Sequence, residues 1–142
     1  RHHRHEPVAR QLRSQGVAVV IRIIRELMRA EAQRDPHAWA ATAAGHAWIG
    51  MGIWGGLAVI LDRWTAVYLA PLAYLLLIEG VQLAIAPQVK RSLLWDSGLD
   101  TIAFTFGCIA AAHLGDGDLE MTMLAWMASL VPIAAGWIGR QA

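Results

Sequence analysis

Four apolar runs, each long enough to cross a lipid bilayer, constrain what this 142-residue chain can fold into. They occupy residues 37–61, 64–86, 95–114 and 119–139. A helix needs about 20 apolar residues to span ~30 Å of hydrocarbon. The composition agrees, because 16% of the residues are charged, whereas soluble domains contain about 25%. The sequence therefore predicts an all-α, polytopic membrane helical bundle with four transmembrane helices in a domain over residues 37–140.

The segment before the first run has a different pattern. Residues 1–7 (RHHRHEP) are predicted to be a disordered basic tail, and residues 8–34 an amphipathic interfacial helix. Arginines recur on one face of this helix, opposite Val17 and Leu27, and Arg22 interrupts its short apolar stretch. We expect the helix to lie on membrane lipids with its arginines towards anionic headgroups. A cytosolic helix packed on the bundle is the alternative, and the continuous apolar face argues against nucleic acid as a partner.

The distribution of basic residues predicts the orientation of the bundle. Eight of the twelve Lys and Arg residues precede residue 38. With the N-terminus in the cytoplasm, Lys90, Arg91 and Arg140 also lie inside, and Arg63 alone lies outside. Because basic residues in short loops stay on the cytoplasmic side, we expect both termini in the cytoplasm.

Polar side chains from three apolar runs converge on the cytoplasmic half of this predicted bundle. His46 lies in the first run, Glu79 and Gln82 near the end of the second, and Asp96 and Asp100 at the start of the third. At ~1.5 Å rise per residue, His46 is about 14 Å and Glu79 about 10 Å from the cytoplasmic end. Since ionisable groups in lipid are costly without a partner or water, we expect one shared polar pocket.

Several roles fit such a pocket. His46, Glu79 and Asp100 could ligate a divalent metal, or a buried Glu79 beside His46 could exchange a proton. A lipid headgroup could bind with Lys90 and Arg91 on its phosphate and the acids on its hydroxyls. A hydrogen-bonded polar plug that only fixes helix packing is the structural alternative.

Small residues and prolines predict details of the packing. Gly52 and Gly56 form a GxxxG motif, which lets helices approach closely. Pro71 and Pro132 each lie inside an apolar run, where the missing N–H predicts a kink. Cys108 lies within an apolar run and is predicted to be a small buried hydrophobic residue.

One stretch of the chain resembles a known family. The sequence LIEGVQ at 77–82, followed by Arg91-Ser92 and an acid-led helix start, resembles the VanZ-like family of small bacterial membrane proteins. That family typically shows a His in an early span, Glu-x-x-Gln at the end of the next, Arg-Ser/Thr, and then Asp-x-x-x-Asn-x-x-Gly. The matching residues are His46, Glu79, Gln82, Arg91 and Ser92.

The resemblance covers about residues 42–112 and departs from the family pattern at several positions. Asp96 could begin the last motif, with Asp100 in the Asn place and Ala103 where Gly is typical. If Asp100 begins it instead, Gly107 is in place but Phe104 replaces the Asn. The Asp-Lys pair that usually precedes the His is absent, and Thr42-Ala43 stands there. The Asp-Ser-x-x-Asp-Thr form is similar to related small membrane proteins in phage genomes.

The resemblance implies a multi-pass protein of the bacterial inner membrane. The family's link to glycopeptide (teicoplanin) resistance implies work on the envelope or on a lipid-linked molecule. The pocket would then use Glu79 as the central acid, His46 as its partner, Asp96 and Asp100 as further ligands, and Arg91 on phosphate. The alternative from another class is a non-enzymatic module, either holin-like or an accessory subunit, acting as a homo-oligomer or within a larger membrane complex.

Overall fold

The structure is a computed structural model that describes residues 35–86 and 91–141. Within these ranges 90% of the residues are helical and no strand occurs, which confirms the all-α prediction. The predicted basic tail, the predicted interfacial helix and Lys90 lie outside the described residues.

Four helices make up the described chain. They are α1 (Pro36–Leu57), α2 (Arg63–Ile85), α3 (Arg91–Gly115) and α4 (Leu119–Gln141). The helices α2, α3 and α4 are long and apolar enough to cross a membrane. Helix α1 is not among them, because its Gly, Trp and His residues lower its mean hydropathy. The predicted connector after α2 extended to Leu94, but α3 already begins at Arg91.

Acidic residues set where three of the helices begin. The carboxylate of Asp35 accepts a hydrogen bond from the His37 N–H (2.9 Å), ahead of a helix that starts with proline. Asp62 accepts from the Thr65 N–H at 2.9 Å, and Asp118 caps α4 in the same way. Such caps satisfy N–H groups that have no partner within the helix. The hydrogen bonds from the side chain and backbone of Thr65 lower the pKa of Asp62.

Most large apolar side chains of the bundle lie outside, and most of its buried residues are small or polar. The largest fully buried side chains are Phe104, Cys108 and Ser129, and the burial of Cys108 agrees with the prediction. Exposed apolar side chains cover all four helices; they include Ile49, Leu76, Leu77, Ile102, Met123, Met127 and Val131. Small residues at helix contacts and an apolar exterior are typical of proteins surrounded by lipid. Together with the three long apolar helices, this distribution indicates a membrane protein.

Helices α1 and α3 run side by side with their backbones in contact. A Cβ atom on Gly50 would collide with the carbonyl group of Phe104, and one on Gly107 with the carbonyl group of Ala47. The Cys108 thiol donates to the Gly50 carbonyl oxygen at 3.3 Å. Helices α2 and α4 flank this pair, and each contacts both of its members.

The predicted GxxxG motif therefore makes no contact between the described helices. Gly52 and Gly56 are exposed, and nothing lies within 4 Å of a Cβ built on either residue. The contact is made at Gly50 instead. At 100° per residue, two positions place Gly50 and Gly52 almost on opposite sides of the helix, so the GxxxG spacing identified the wrong face.

Candidate functional site

A π-helical segment turns Glu79 into the bundle. Residues Leu75–Glu79 form this segment, in which the Gly80 N–H bonds to the Leu75 carbonyl oxygen five residues back. In a regular α-helix, residues five apart point about 140° away from each other. Here Tyr74 and Glu79 are both buried, and the Tyr74 hydroxyl donates to Glu79 Oε1. Pro71 lies inside the preceding turn, and π segments of this kind are frequent at functional sites.

Glu79 meets two polar side chains from other helices. They are His46 of α1 and Asp100 of α3, and the distance from His46 Nδ1 to Asp100 Oδ1 is 3.2 Å. One ligand-type atom from each of His46, Glu79 and Asp100 lies within 4.8 Å of the other two. Glu79 is 3% exposed, and the side chains of His46 and Asp100 are 17% and 15% exposed. We call these three residues the triad.

Two atoms of the triad lack a hydrogen bond. His46 Nδ1 and Asp100 Oδ1 are buried, yet neither has a hydrogen-bond partner among the described residues. Their separation of 3.2 Å is short enough for an ion pair with a protonated imidazole. Buried polar atoms without partners are rare in native proteins, and each one calls for an explanation.

Aromatic rings close one side of the triad. Tyr74 stacks on Phe104 with ring centroids 4.4 Å apart and an interplanar angle of 18°. Its ring also meets His46 edge-on at 5.6 Å. The Tyr74 hydroxyl is thereby held against the Glu79 carboxylate, and the triad is shielded on this side.

Replacing Tyr74 by phenylalanine tests this arrangement. A hydrogen bond to a charged group contributes about 1.5–3 kcal/mol, so we expect Tyr74→Phe to lower the free energy of unfolding by about 2 kcal/mol. SDS titration in mixed micelles, followed by circular dichroism, measures the change. Tyr68→Phe on the same helix is the matched control, because Tyr68 is 73% exposed. Equal effects of the two variants would contradict the assignment.

Asp96, predicted as a further ligand of the pocket, pairs elsewhere. Its Oδ1 accepts from Arg140 Nη2 of α4, and the two side chains are 11% and 12% exposed. Arg140 also donates from Nη1 to the Gly136 carbonyl oxygen at 2.9 Å and lies 4.3 Å above the Trp39 ring. Asp96 and Asp100 share a face of α3, but Asp96 meets α4 whereas Asp100 meets α1.

The remaining predicted residues, Gln82, Arg91 and Ser92, are not members of the triad. Gln82 is half-buried on α2, and Arg91 and Ser92 are exposed in the first turn of α3. With Leu94 and Trp95, Arg91 and Ser92 line a shallow, mainly apolar groove of about 560 Å³. Nine positions separate Arg91 from Asp100, which is about 13 Å along the helix axis. The structure therefore brings His46, Glu79 and Asp100 together and leaves Arg91 and Ser92 at the helix end.

Two residues of this region escaped the sequence prediction. Tyr74 lies five positions before Glu79, a spacing that a regular helix would direct elsewhere, and only Pro71 signalled an irregular turn. Arg140 counted towards the orientation but not towards the site. Arg140 lies at the end of one apolar run and Asp96 at the start of another, at the same depth in the predicted bundle. This shared depth is the signal that could have predicted their pairing.

No protein-family model, curated protein or solved structure matches this chain. The resemblance to the VanZ-like family rests on the short motifs described above.

Proposed function

We propose that this chain is a four-span, VanZ-like protein of the bacterial inner membrane, with both termini in the cytoplasm. We further propose that its polar cluster binds a lipid headgroup or a lipid-linked molecule from the inner leaflet. The observation that carries the proposal is Glu79, a carboxylic acid that is 3% exposed inside a bundle with an apolar exterior. Ionisable residues at such positions are expensive to bury and are usually retained for function.

The packing of α1 supports its role as the fourth span. Its 22 residues extend about 33 Å, enough for the hydrocarbon core. It packs along α3, a candidate span: Trp39 lies in one buried cluster with Leu99, and Trp54 packs against the cluster that contains Cys108. A helix packed along a spanning helix shares its depth. Ala43, Ala47 and Gly50 of α1 are buried inside the bundle.

The spacing of polar groups along α3 supports a phosphate-bearing ligand. Arg91 lies at the N-terminal end of the helix, where its cation and the helix dipole both attract anions. Asp100 and Glu79 lie deeper and can accept hydrogen bonds from hydroxyl or amino groups. A lipid-linked molecule with its phosphate at Arg91 and its polar head towards the triad fits this separation of about 13 Å.

Glu79→Gln tests the proposal. The substitution keeps the size of the side chain but removes the charge, and a charged hydrogen bond is worth about 1.5–3 kcal/mol. We therefore expect the amount of lipid retained during purification in mild detergent to fall roughly 10-fold or more, with the folded yield nearly unchanged. Mass spectrometry of extracted lipid measures the first quantity and size-exclusion chromatography the second.

Glu120→Gln is the control, because Glu120 is exposed at the opposite end of the bundle. If the folded yield of Glu79→Gln collapses together with its lipid content, the triad is a structural plug and not a ligand site. If both variants retain lipid equally, Glu79 has no part in binding.

A second function is favoured by one observation. Gly52 and Gly56 face open space on the outside of α1, and small residues on an outer face suit association with another helix. A holin-like protein or an accessory subunit of a larger complex would use such a face. Growth arrest with membrane depolarisation on overexpression would favour the holin, and copurification at fixed stoichiometry the accessory subunit.

A further inference from the structure

We infer that His46, Glu79 and Asp100 form a binding site for one divalent transition-metal ion, Zn²⁺ or Mn²⁺. The inference deepens the proposed function and rests on its claim that the cluster takes a ligand. It adds that the protein binds a metal cation first, before any lipid group.

The spacing of the ligand atoms fits a single ion. One nitrogen and two carboxylate oxygens, each from a different helix, lie within 4.8 Å of one another. Ligand atoms at about 2.0–2.2 Å from one tetrahedral ion are about 3.4–3.6 Å apart. Where the spacing reaches 4.8 Å, the side chains must therefore move inward by about an ångström when an ion binds.

The two atoms without hydrogen bonds point to the same conclusion. A neutral imidazole that carries its proton on Nε2 presents a lone pair at Nδ1. Two lone pairs 3.2 Å apart, on His46 Nδ1 and Asp100 Oδ1, repel each other unless a cation lies between them. A proton between these two atoms removes the repulsion for this pair alone, whereas a metal ion also engages the third ligand, the Glu79 carboxylate.

The charge of the triad also matches a divalent ion. With a neutral His46, the ionised carboxylates of Glu79 and Asp100 carry two negative charges in a small buried volume. Unpaired charges are costly to bury, and a cation of charge +2 neutralises both. The acid one turn away provides the contrast, because Asp96 is neutralised by Arg140.

The ligand types select the metal. A set of one imidazole and two carboxylates suits zinc and manganese, whereas calcium takes six to eight oxygens and magnesium retains several waters. Three protein ligands leave a coordination position open, which a phosphate or hydroxyl oxygen of a lipid can occupy. Tyr74 is a positioning residue in this site, because its hydroxyl holds Glu79 Oε1 and leaves Oε2 for the ion.

Metal titration of the full chain tests the inference. The protein is stripped with a chelator, reconstituted in nanodiscs, and titrated with Zn²⁺ and with Mn²⁺ by calorimetry, with metal content determined by mass spectrometry. His2, His3 and His5 are replaced by alanine in every sample, because histidines of the tail bind metals on their own. We expect one ion per chain. Asp100→Asn should weaken binding at least about 100-fold, the upper end of what outer-shell changes cause.

Glu120→Gln should leave the affinity unchanged. His46→Gln provides a second loss of a ligand, so that poor folding of Asp100→Asn leaves the inference testable. It is overturned if the stripped chain shows no saturable binding, or if the folded variant binds as tightly as the parent chain. Lipid retention is measured separately, on metal-loaded and on metal-free protein. Metal binding without lipid retention by the metal-loaded protein contradicts the proposed function alone, and lipid retention by protein that binds no metal contradicts this inference alone.

Discussion

Replacing Arg140 by glutamine is expected to lower the free energy of unfolding by about 3–5 kcal/mol, because removal of one partner from a buried ion pair leaves an uncompensated charge. The side chains of Asp96 and Arg140 are 11% and 12% exposed. The variant also loses the contact of the guanidinium with the Trp39 ring and the hydrogen bond to the Gly136 carbonyl. Unfolding by SDS in mixed micelles, followed by circular dichroism, measures the loss.

A second Arg–Asp pair, Arg63 with Asp116, is the matched control. Arg63 and Asp116 pair at the opposite end, where their side chains are 46% and 37% exposed. Exposed pairs contribute up to about 1 kcal/mol, so Arg63→Gln should have a small effect. The double variant Asp96→Asn with Arg140→Gln should be less destabilised than the sum of its single changes, since it removes both charges. Similar losses for Arg63→Gln and Arg140→Gln would refute the burial argument.

Gly107→Ala is expected to destabilise the bundle by about 3 kcal/mol, at the upper end of overpacking effects. The added methyl group would collide with backbone atoms of Ala47, and a backbone cannot turn aside as a side chain can. Helices α1 and α3 must therefore separate. The same SDS titration measures the change, and a fall in the fraction of monodisperse protein is expected with it.

Gly98→Ala on the same helix is its control. A Cβ at Gly98 has nothing within 4 Å, and alanine favours the helix by up to about 1 kcal/mol relative to glycine. Gly98→Ala should therefore be neutral or stabilising. If Gly107→Ala is equally well tolerated, the two backbones are not in the contact described.

Much of this structure follows from periodicity and length. The apolar runs predict the helices, and the rise per residue places His46, Glu79 and Asp100 at similar depths, where the structure has them together. The predictions that failed are those that depend on rotation about a helix axis. The π segment reorients Glu79 towards Tyr74, and no local pattern other than Pro71 announces it. The face of α1 that packs depends on its contact with α3 at Phe104. The sequence of α1 alone does not contain this information.

The partner of Asp96 could not be deduced for a related reason. Asp96 and Asp100 occupy the same face of one helix, so their spacing predicts a shared environment. The face is wide enough to touch α1 at one level and α4 at the next. Only the arrangement of all four helices separates an acid that meets His46 from one that meets Arg140.

The backbone contact between α1 and α3 lies next to two members of the triad, His46 and Asp100. Gly50 lies four residues after His46, and Phe104 lies four residues after Asp100, so the polar pair is one helical turn from the point where the backbones touch. The close approach that Gly50 permits therefore lies next to the pair, in which the short side chain of Asp100 is 3.2 Å from the imidazole. A residue without any polar chemistry thus helps to hold two polar groups of the site together.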